Sequence, residues 1–326
     1  MKAIILGGAG FIGSHLADAL LKKNYKVKII DNLSTGRIEN IKHIKKKIKF
    51  IKANISKNGI WQNEFRNVDY VFHLAALADI VPSIDNPDKY YHSNVTGTLN
   101  VLQACKKFKV KKLLYSASSS CYGIPKKYPT KETEKINPIF PYAVTKYLGE
   151  QLIIYWSKIY NINFISLRLF NVYGPRSRTS GTYGAMFGVF LAQKLSKKPY
   201  TMVGDGKQSR DFTYVSDVVE AFMMSAKSKL TNKIFNVGSG KTVQVKKIIE
   251  YLEGDYVKIP KRPGEPDITY ADISNIKKNL KWAPKIDIKN GVNIILKNIN
   301  YWKKAPLWDP ESINKATKNW FKYLDK

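Results

Sequence analysis

Apolar residues gather in short, nearly unbroken runs at 2–6, 27–30, 48–51, 69–74, 111–116 and 163–169. Each run has strand length, and continuous apolarity is the mark of strands buried on both faces. Between the last three runs lie 85–109 and 142–160, where apolar positions recur at helical spacing. Strand alternating with helix predicts an α/β fold with a parallel sheet covered on both sides. Past Pro175 the pattern changes: Gly and Pro become frequent, strands shorten, and helical periodicity returns near 182–196, 215–228, 243–252 and 287–304. We read a first domain over 1–174, a smaller interwoven C-terminal α/β lobe over 175–300, and a tail over 301–326. In the tail, Pro310, Glu311 and the period of Ile313, Ala316, Trp320 and Leu324 predict an amphipathic helix, packed on the body by Trp302, Trp308 and Trp320.

Composition adds constraints. The chain has 326 residues, 44% of them apolar, enough for one large core or two lobes. Its net charge of +30 suggests an acidic partner, yet the lysines are scattered along the chain and no nucleic-acid-binding signature accompanies them. A solvated basic surface that steers anionic ligands is expected, with no nucleic acid and no membrane partner. No run of 18 uncharged apolar residues occurs, and the apolar start lacks a basic leader. Cys105 and Cys121 form neither a disulfide framework nor a metal-ligand pattern, so no metal and a reducing, cytoplasmic setting are expected.

Two motifs bring in chemistry. KAIILGGAGFIG runs from an apolar strand through Gly7, Gly10 and Gly13 into the helical SHLADALLKKN. Such a turn lets a pyrophosphate approach the backbone and face a helix N-terminus, although glycines alone also fit a turn with no ligand. The next strand ends in Asp31, 18 residues past Gly13, where a carboxylate accepts from a ribose diol and repels a 2′-phosphate. These features predict a Rossmann-type doubly wound parallel sheet and NAD rather than NADP, with Arg37 in the following loop as the dissenting residue. In the second motif, Tyr142 precedes Lys146 by one helical turn, and Ser118 ends the strand at 111–116 and its extension LLYSASSSCYG. An ammonium at i+4 favours an ionised phenol, and a phenol acting as a base near neutrality must fall by roughly 3 units from its ordinary pKa.

GGAGFIG, Asp31, HLAA at 73–76, SASSSCYG, YAVTK and RLFNVYGPR together resemble the extended short-chain dehydrogenase/reductases that act on nucleotide sugars. The resemblance implies Ser118, Tyr142 and Lys146 as a catalytic triad. It implies a dinucleotide lined by Gly7, Gly10, Phe11, Ile12, Gly13, Asp31, Asn32, Asn54, Ile55, Leu74, Ala75, Ala76, Asn94, Tyr142 and Lys146. Asn54 departs from the family, which usually carries Asp there against the adenine amine. Ser118, Ser119, Asn171, Arg210, Arg262 and Thr269 are implied on the substrate side, the two arginines clamping a diphosphate.

Ser119 and Ser120 narrow the chemistry. Related 4,6-dehydratases carry an Asp-Glu pair at these positions, and related uronate decarboxylases a Glu at the second. Hydroxyls cannot take those roles at neutral pH, so the chain resembles the 4-epimerase branch, most nearly that of UDP-glucose 4-epimerase. The branch implies reversible oxidation of a sugar at C4, a 4-keto intermediate that turns over, and a UDP-hexose substrate. A small residue at Thr269 leaves room for an acetamido group at C2, while Ala78 weakens any precise choice. The remaining readings are a net 4-dehydrogenase or ketoreductase, a dehydratase of the same family, and a non-catalytic NAD- or nucleic-acid-binding module. The family also implies a homodimer, in which the helices at 85–109 and 142–160 pair into a four-helix bundle. The tail could complete that contact or cover the substrate mouth.

Overall fold

The computed structural model describes residues 1–177 and 185–325. The first strands and helices follow the sequence pattern: β1 (Lys2–Leu6), α1 (Phe11–Lys22), β2 (Lys26–Asp31), β3 (Ile48–Lys52) and β4 (Tyr70–His73). A short α2 (Ile80–Asp85) leads to α3 (Pro87–Tyr91), which passes through a π turn (His92–Thr96) into α4 (Gly97–Lys107). The expected single helix at 85–109 is thus three segments, the widened turn being the kind of bulge that often marks functional sites. Next come β5 (Lys112–Ser118), α5 (Pro141–Tyr160) with Pro141 pre-setting its first turn, and β6 (Phe164–Leu169).

Beyond Pro175 the described elements are β7 (Val172–Tyr173) just before it, then α6 (Met186–Leu195), β8 (Tyr200–Val203), β9 (Ser209–Arg210), β10 (Thr213–Tyr214) and α7 (Val215–Lys227). They continue with β11 (Lys233–Val237), β12 (Val243–Gln244), α8 (Val245–Leu252), β13 (Tyr256–Ile259), α9 (Ser274–Leu280), α10 (Ile288–Lys297) and α11 (Pro310–Leu324). The expected helix at 182–196 begins at Met186, its first residues lying outside the described ones. The helix expected at 287–304 ends at Lys297 and a short 3₁₀ turn follows at Ile299–Trp302.

The main sheet has seven strands in the order β11-β6-β5-β4-β1-β2-β3, all parallel. Burial on both faces explains the unbroken apolar runs. In β1, Ala3 and Ile5 pack with Leu16 and Leu20 of α1 and Phe222 of α7, while Ile4 and Leu6 pack with Val101 and Leu102 of α4 and Ile153 of α5. The seventh strand, KIFNV, comes from within 175–300 and pairs Lys233 with Ile165 through Val237 with Leu169. A second core joins Phe190, Tyr200, Ile248, Leu252 and Ile295 to Trp302, Ile313 and Trp320 of the tail. Among the described residues no helix is long and apolar enough to cross a membrane.

The strand order reverses between β1 and β4, and ligands of open α/β sheets bind beyond the carboxyl ends of strands at such a switch point. Gly7, Asp31, Leu74, Ser118 and Asn171 all lie at or just past those ends, of β1, β2, β4, β5 and β6 respectively.

Candidate active site

The glycine turn leaves no room for side chains. Gly7 has φ of +78°, and a Cβ there would sit 2.7 Å from the Ala75 nitrogen. A Cβ on Gly13 would collide with the Gly7 carbonyl, so the first turn of α1 packs directly on the loop that Gly10 caps. Phe11 and Ile12 follow, half-buried. Asp31 is buried; its carboxylate accepts from the Ala9 and Leu33 backbone N–H groups at 3.0 and 2.8 Å, and burial raises its pKa against those bonds. Each oxygen keeps a lone pair for a ribose hydroxyl. Asn32 is exposed and accepts from the Ser34 N–H. Asn54 is exposed too, its amide oxygen accepting from the Ser56 N–H and hydroxyl. Ile55 is buried under it against Gly97, and Leu74, Ala75 and Ala76 form the half-buried rim after β4. A dinucleotide therefore fits the cradle: glycines where a Cβ would block the backbone, and a carboxylate at the end of β2.

Ser118 and Tyr142 meet at the end of β5. The Ser118 and Ser120 hydroxyls are 2.7 Å apart, and both act on the Tyr142 phenol in favour of its ionised form. Burial raises the pKa of that phenol, and the two serines offset part of the rise. Lys146, expected to depress it, instead has its ammonium 4.2 Å over the Tyr115 ring and is itself lowered to about 7 by burial, with Glu150 pulling the other way. The lysine is 4% exposed, and a charge so far from water is disfavoured. Ser119 lies half-buried in the 3₁₀ turn that follows, with the Ser118 Oγ accepting from the Ser120 N–H. Ser120, which the family motif does not imply, joins Ser118 at this turn, and its spacing of two residues from Ser118 is the signal for it.

Beneath Ser118 and Tyr142 a buried polar network fixes α5. The Asn94 amide accepts from the Leu77 N–H at 2.8 Å and donates to the Leu77 carbonyl and the Thr145 hydroxyl, both at 3.0 Å. Expected beside the dinucleotide, Asn94 ties the loop after β4 to α5 through its π turn. Thr98 gives its proton to the Asn94 carbonyl at 2.6 Å, so His73 Nε2, 2.9 Å away, must donate to it. His73 Nδ1 then carries a lone pair, buried and without a partner among the described residues, and burial with the nearby Lys146 lowers this ring to about 3. Further along α5, Glu150 forms a bidentate pair with Arg168 of β6 and accepts from Ser166. Cys121 is buried with its thiol pushed up to about 12, an inert side chain.

Asn171, just past β6, meets residues from after β9 and β13, Thr269 among them also expected on the substrate side. Asn171, at φ of 24°, donates to the Asp211 carbonyl at 3.1 Å and to the Thr269 hydroxyl at 2.8 Å. The Thr269 hydroxyl also accepts from the Asp211 N–H, so it joins β6 to the turn after β9. Arg210 and Arg262 share Glu265: Arg210 Nη2 donates to one oxygen at 2.9 Å, and Arg262 Nη1 lies 3.8 Å from the other. One carboxylate between two guanidiniums leaves the group cationic, as a diphosphate site requires. Asp211 accepts from Ser239, Gly240 and Ala271, and burial raises it to about 6.

Comparison with known proteins agrees with this arrangement. A family model described as "NAD dependent epimerase/dehydratase family" matches residues 3–238. The UDP-glucose 4-epimerase of Thermotoga maritima, solved with UDP-glucose, is 32% identical at a TM-score of 0.86, covering 93% of this chain and 99% of that one. The UDP-N-acetylglucosamine 4-epimerase of Methanobrevibacter ruminantium M1, solved with UDP-N-acetylmuramic acid, is 33% identical at 0.85, covering 91% and 98%. The UDP-glucuronic acid 4-epimerase of Bacillus cereus, solved with UDP-glucuronic acid and NAD, is 32% identical at 0.86, covering 92% and 99%. With the glycine cradle, the switch-point placement and these matches along nearly its whole length, the chain belongs to the NAD-dependent epimerase/dehydratase family.

Proposed function

We propose that this protein is a UDP-sugar 4-epimerase with the triad Ser118, Tyr142 and Lys146. The observation that carries the reading is the hydroxyl pair at Tyr142: Ser118 and Ser120 lie 2.7 Å apart, both favour the ionised phenol, and the turn SASSSCYG carries no carboxylate. Dehydration or decarboxylation would need an acid or base there. The cluster can move one proton to and from a sugar hydroxyl, and no more. Bound NAD supplies the reversible two-electron step at C4. Tyr142, as phenolate, takes the 4-hydroxyl proton and later returns it; Ser118 hydrogen-bonds the same oxygen and can pass that one proton to the phenolate. Lys146, buried over the Tyr115 ring, is left the ribose as its partner, while Ser118 and Ser120 favour the ionised phenol. Asp31 and the glycine turn hold the dinucleotide, and Arg210 and Arg262 hold the substrate diphosphate.

The relatives named above act on glucose, N-acetylglucosamine and glucuronate, so identity at this level leaves the sugar open. A UDP-hexose is favoured, either plain or N-acetylated at C2. Two copies pair through α5, where Val144, Leu148, Tyr155 and Ile159 are exposed along one side. The test is incubation of purified protein, without added cofactor, with UDP-glucose, UDP-N-acetylglucosamine and UDP-glucuronate. Interconversion at C4 is expected for one of them, whereas strict dependence on external NAD with stoichiometric keto product would replace the epimerase by a net dehydrogenase.

A further inference from the structure

Helix α11 lies beyond the residues that the family description covers, yet one turn of it reaches the candidate substrate clamp. The Trp320 indole N–H donates to the Pro263 carbonyl at 2.7 Å. The Arg262 guanidinium lies over the indole, 5.5 Å from the ring centroid. The same ring meets Phe140 edge-on at 5.0 Å, and Phe140 caps the catalytic helix two residues before Tyr142. Next to it, Asn319 donates to Asp85 at the end of α2 at 2.8 Å. On its other side the Arg262 turn is confined as well, since a Cβ on Gly264 would meet Ile139 at 3.2 Å.

We propose that Trp320 is a positioning residue that sets the direction of the Arg262 guanidinium toward the substrate diphosphate, which makes α11 part of the nucleotide-sugar site. The proposal rests on the functional reading above. An arginine recognises phosphate through a planar fork whose orientation decides how many bonds form. Here the plane is held by an indole face and the turn by an indole N–H, while Glu265 supplies the charge partner. Removing the indole leaves the cation in place and frees its direction. The effect therefore falls on binding of the nucleotide end and spares the proton transfer at Tyr142.

The experiment compares full-length wild type with Trp320→Ala and Trp320→Phe, each with its bound dinucleotide, by calorimetric titration with UDP and by epimerisation kinetics. Trp320→Ala should raise the UDP Kd and the substrate KM about tenfold, with kcat within about twofold and the NAD content unchanged. Trp320→Phe keeps a ring and loses the donor, so an intermediate rise of about threefold is expected. Combined with Arg262→Lys, Trp320→Phe should add little further, because both act through one contact. An unchanged UDP Kd in Trp320→Phe, or a fall in kcat at constant KM, overturns the proposal; if Trp320→Ala does not fold, the phenylalanine variant decides. A wild-type protein that fails to bind UDP overturns the functional reading itself and this inference with it.

Discussion

Lys146→Met should make the protein more stable and inactive. The buried ammonium is held near a pKa of about 7, well below its ordinary 10.5, because burial disfavours the charge and Glu150 restores only part of it. In the unfolded chain the same lysine stays protonated up to its ordinary pKa. Between about pH 7 and 10.5 the unfolded state thus binds more protons, and stability rises with pH across that window. From these pKa values, burying Lys146 costs about 4 kcal/mol at pH 7 and about 2 kcal/mol at pH 9. A pKa of about 7 is already net of every contact the ammonium makes, the Tyr115 ring included, so methionine, of similar volume and without the charge, recovers the whole of that cost. The gain at pH 7 is roughly 4 kcal/mol, which for a chain of this length raises Tm by about 6 °C. The assay is calorimetric unfolding of nucleotide-free wild type and variant at pH 7 and pH 9. The difference between them should halve, to about 2 kcal/mol, at pH 9, where the folded lysine is neutral. A variant that melts below wild type at pH 7, or a difference independent of pH, would refute the assignment of Lys146 as a desolvated, destabilising cation.

Other substitutions probe the remaining parts. Tyr142→Phe should lose at least about 10²-fold in kcat while retaining bound NAD, as measured by single-turnover absorbance at the nicotinamide band. Because burial raises the Tyr142 pKa, wild-type kcat/KM should climb with pH on the alkaline side as the phenol ionises, and the limb should vanish in the phenylalanine variant. Gly13→Ala places a Cβ against the Gly7 carbonyl, so the purified protein should carry no dinucleotide, read from its absorbance ratio. Asn94→Ala removes three hydrogen bonds in a buried site and should destabilise by about 2–4 kcal/mol, with kcat falling as α5 loosens; denaturant titration beside kinetics tests both.

The glycine cradle, Asp31 and the Ser118–Tyr142 pairing were legible because each depends on local spacing: a turn between strand and helix, a strand end, a helical repeat. Asn94 was legible as an important residue and not for what it does, since its partners Leu77 and Thr145 are brought to it by a π turn that leaves no periodic trace. Lys146 followed its helical spacing to the right face, but spacing says nothing of burial, and burial decides its charge. The strand KIFNV escaped notice for a different reason. Five residues with three apolar ones are too few to stand out, and their place in the sheet is set by β6, 68 positions earlier in the register. Glu265 and Trp320 act through tertiary contacts with arginines that only folding assembles.

That late strand has a consequence for synthesis on the ribosome. When β6 has emerged, its outer edge has no partner, and the sheet face that α7 covers is still bare. Completion waits until Val237 leaves the exit tunnel, and at ~5–20 residues per second the 68 residues that follow Leu169 take roughly 3–14 s. During that interval the nascent chain exposes a flat hydrogen-bonding edge beside an apolar surface, the combination that recruits chaperones or a second unfinished chain. Slow codons within 170–237 should therefore lower the soluble yield more than the same codons placed after β11.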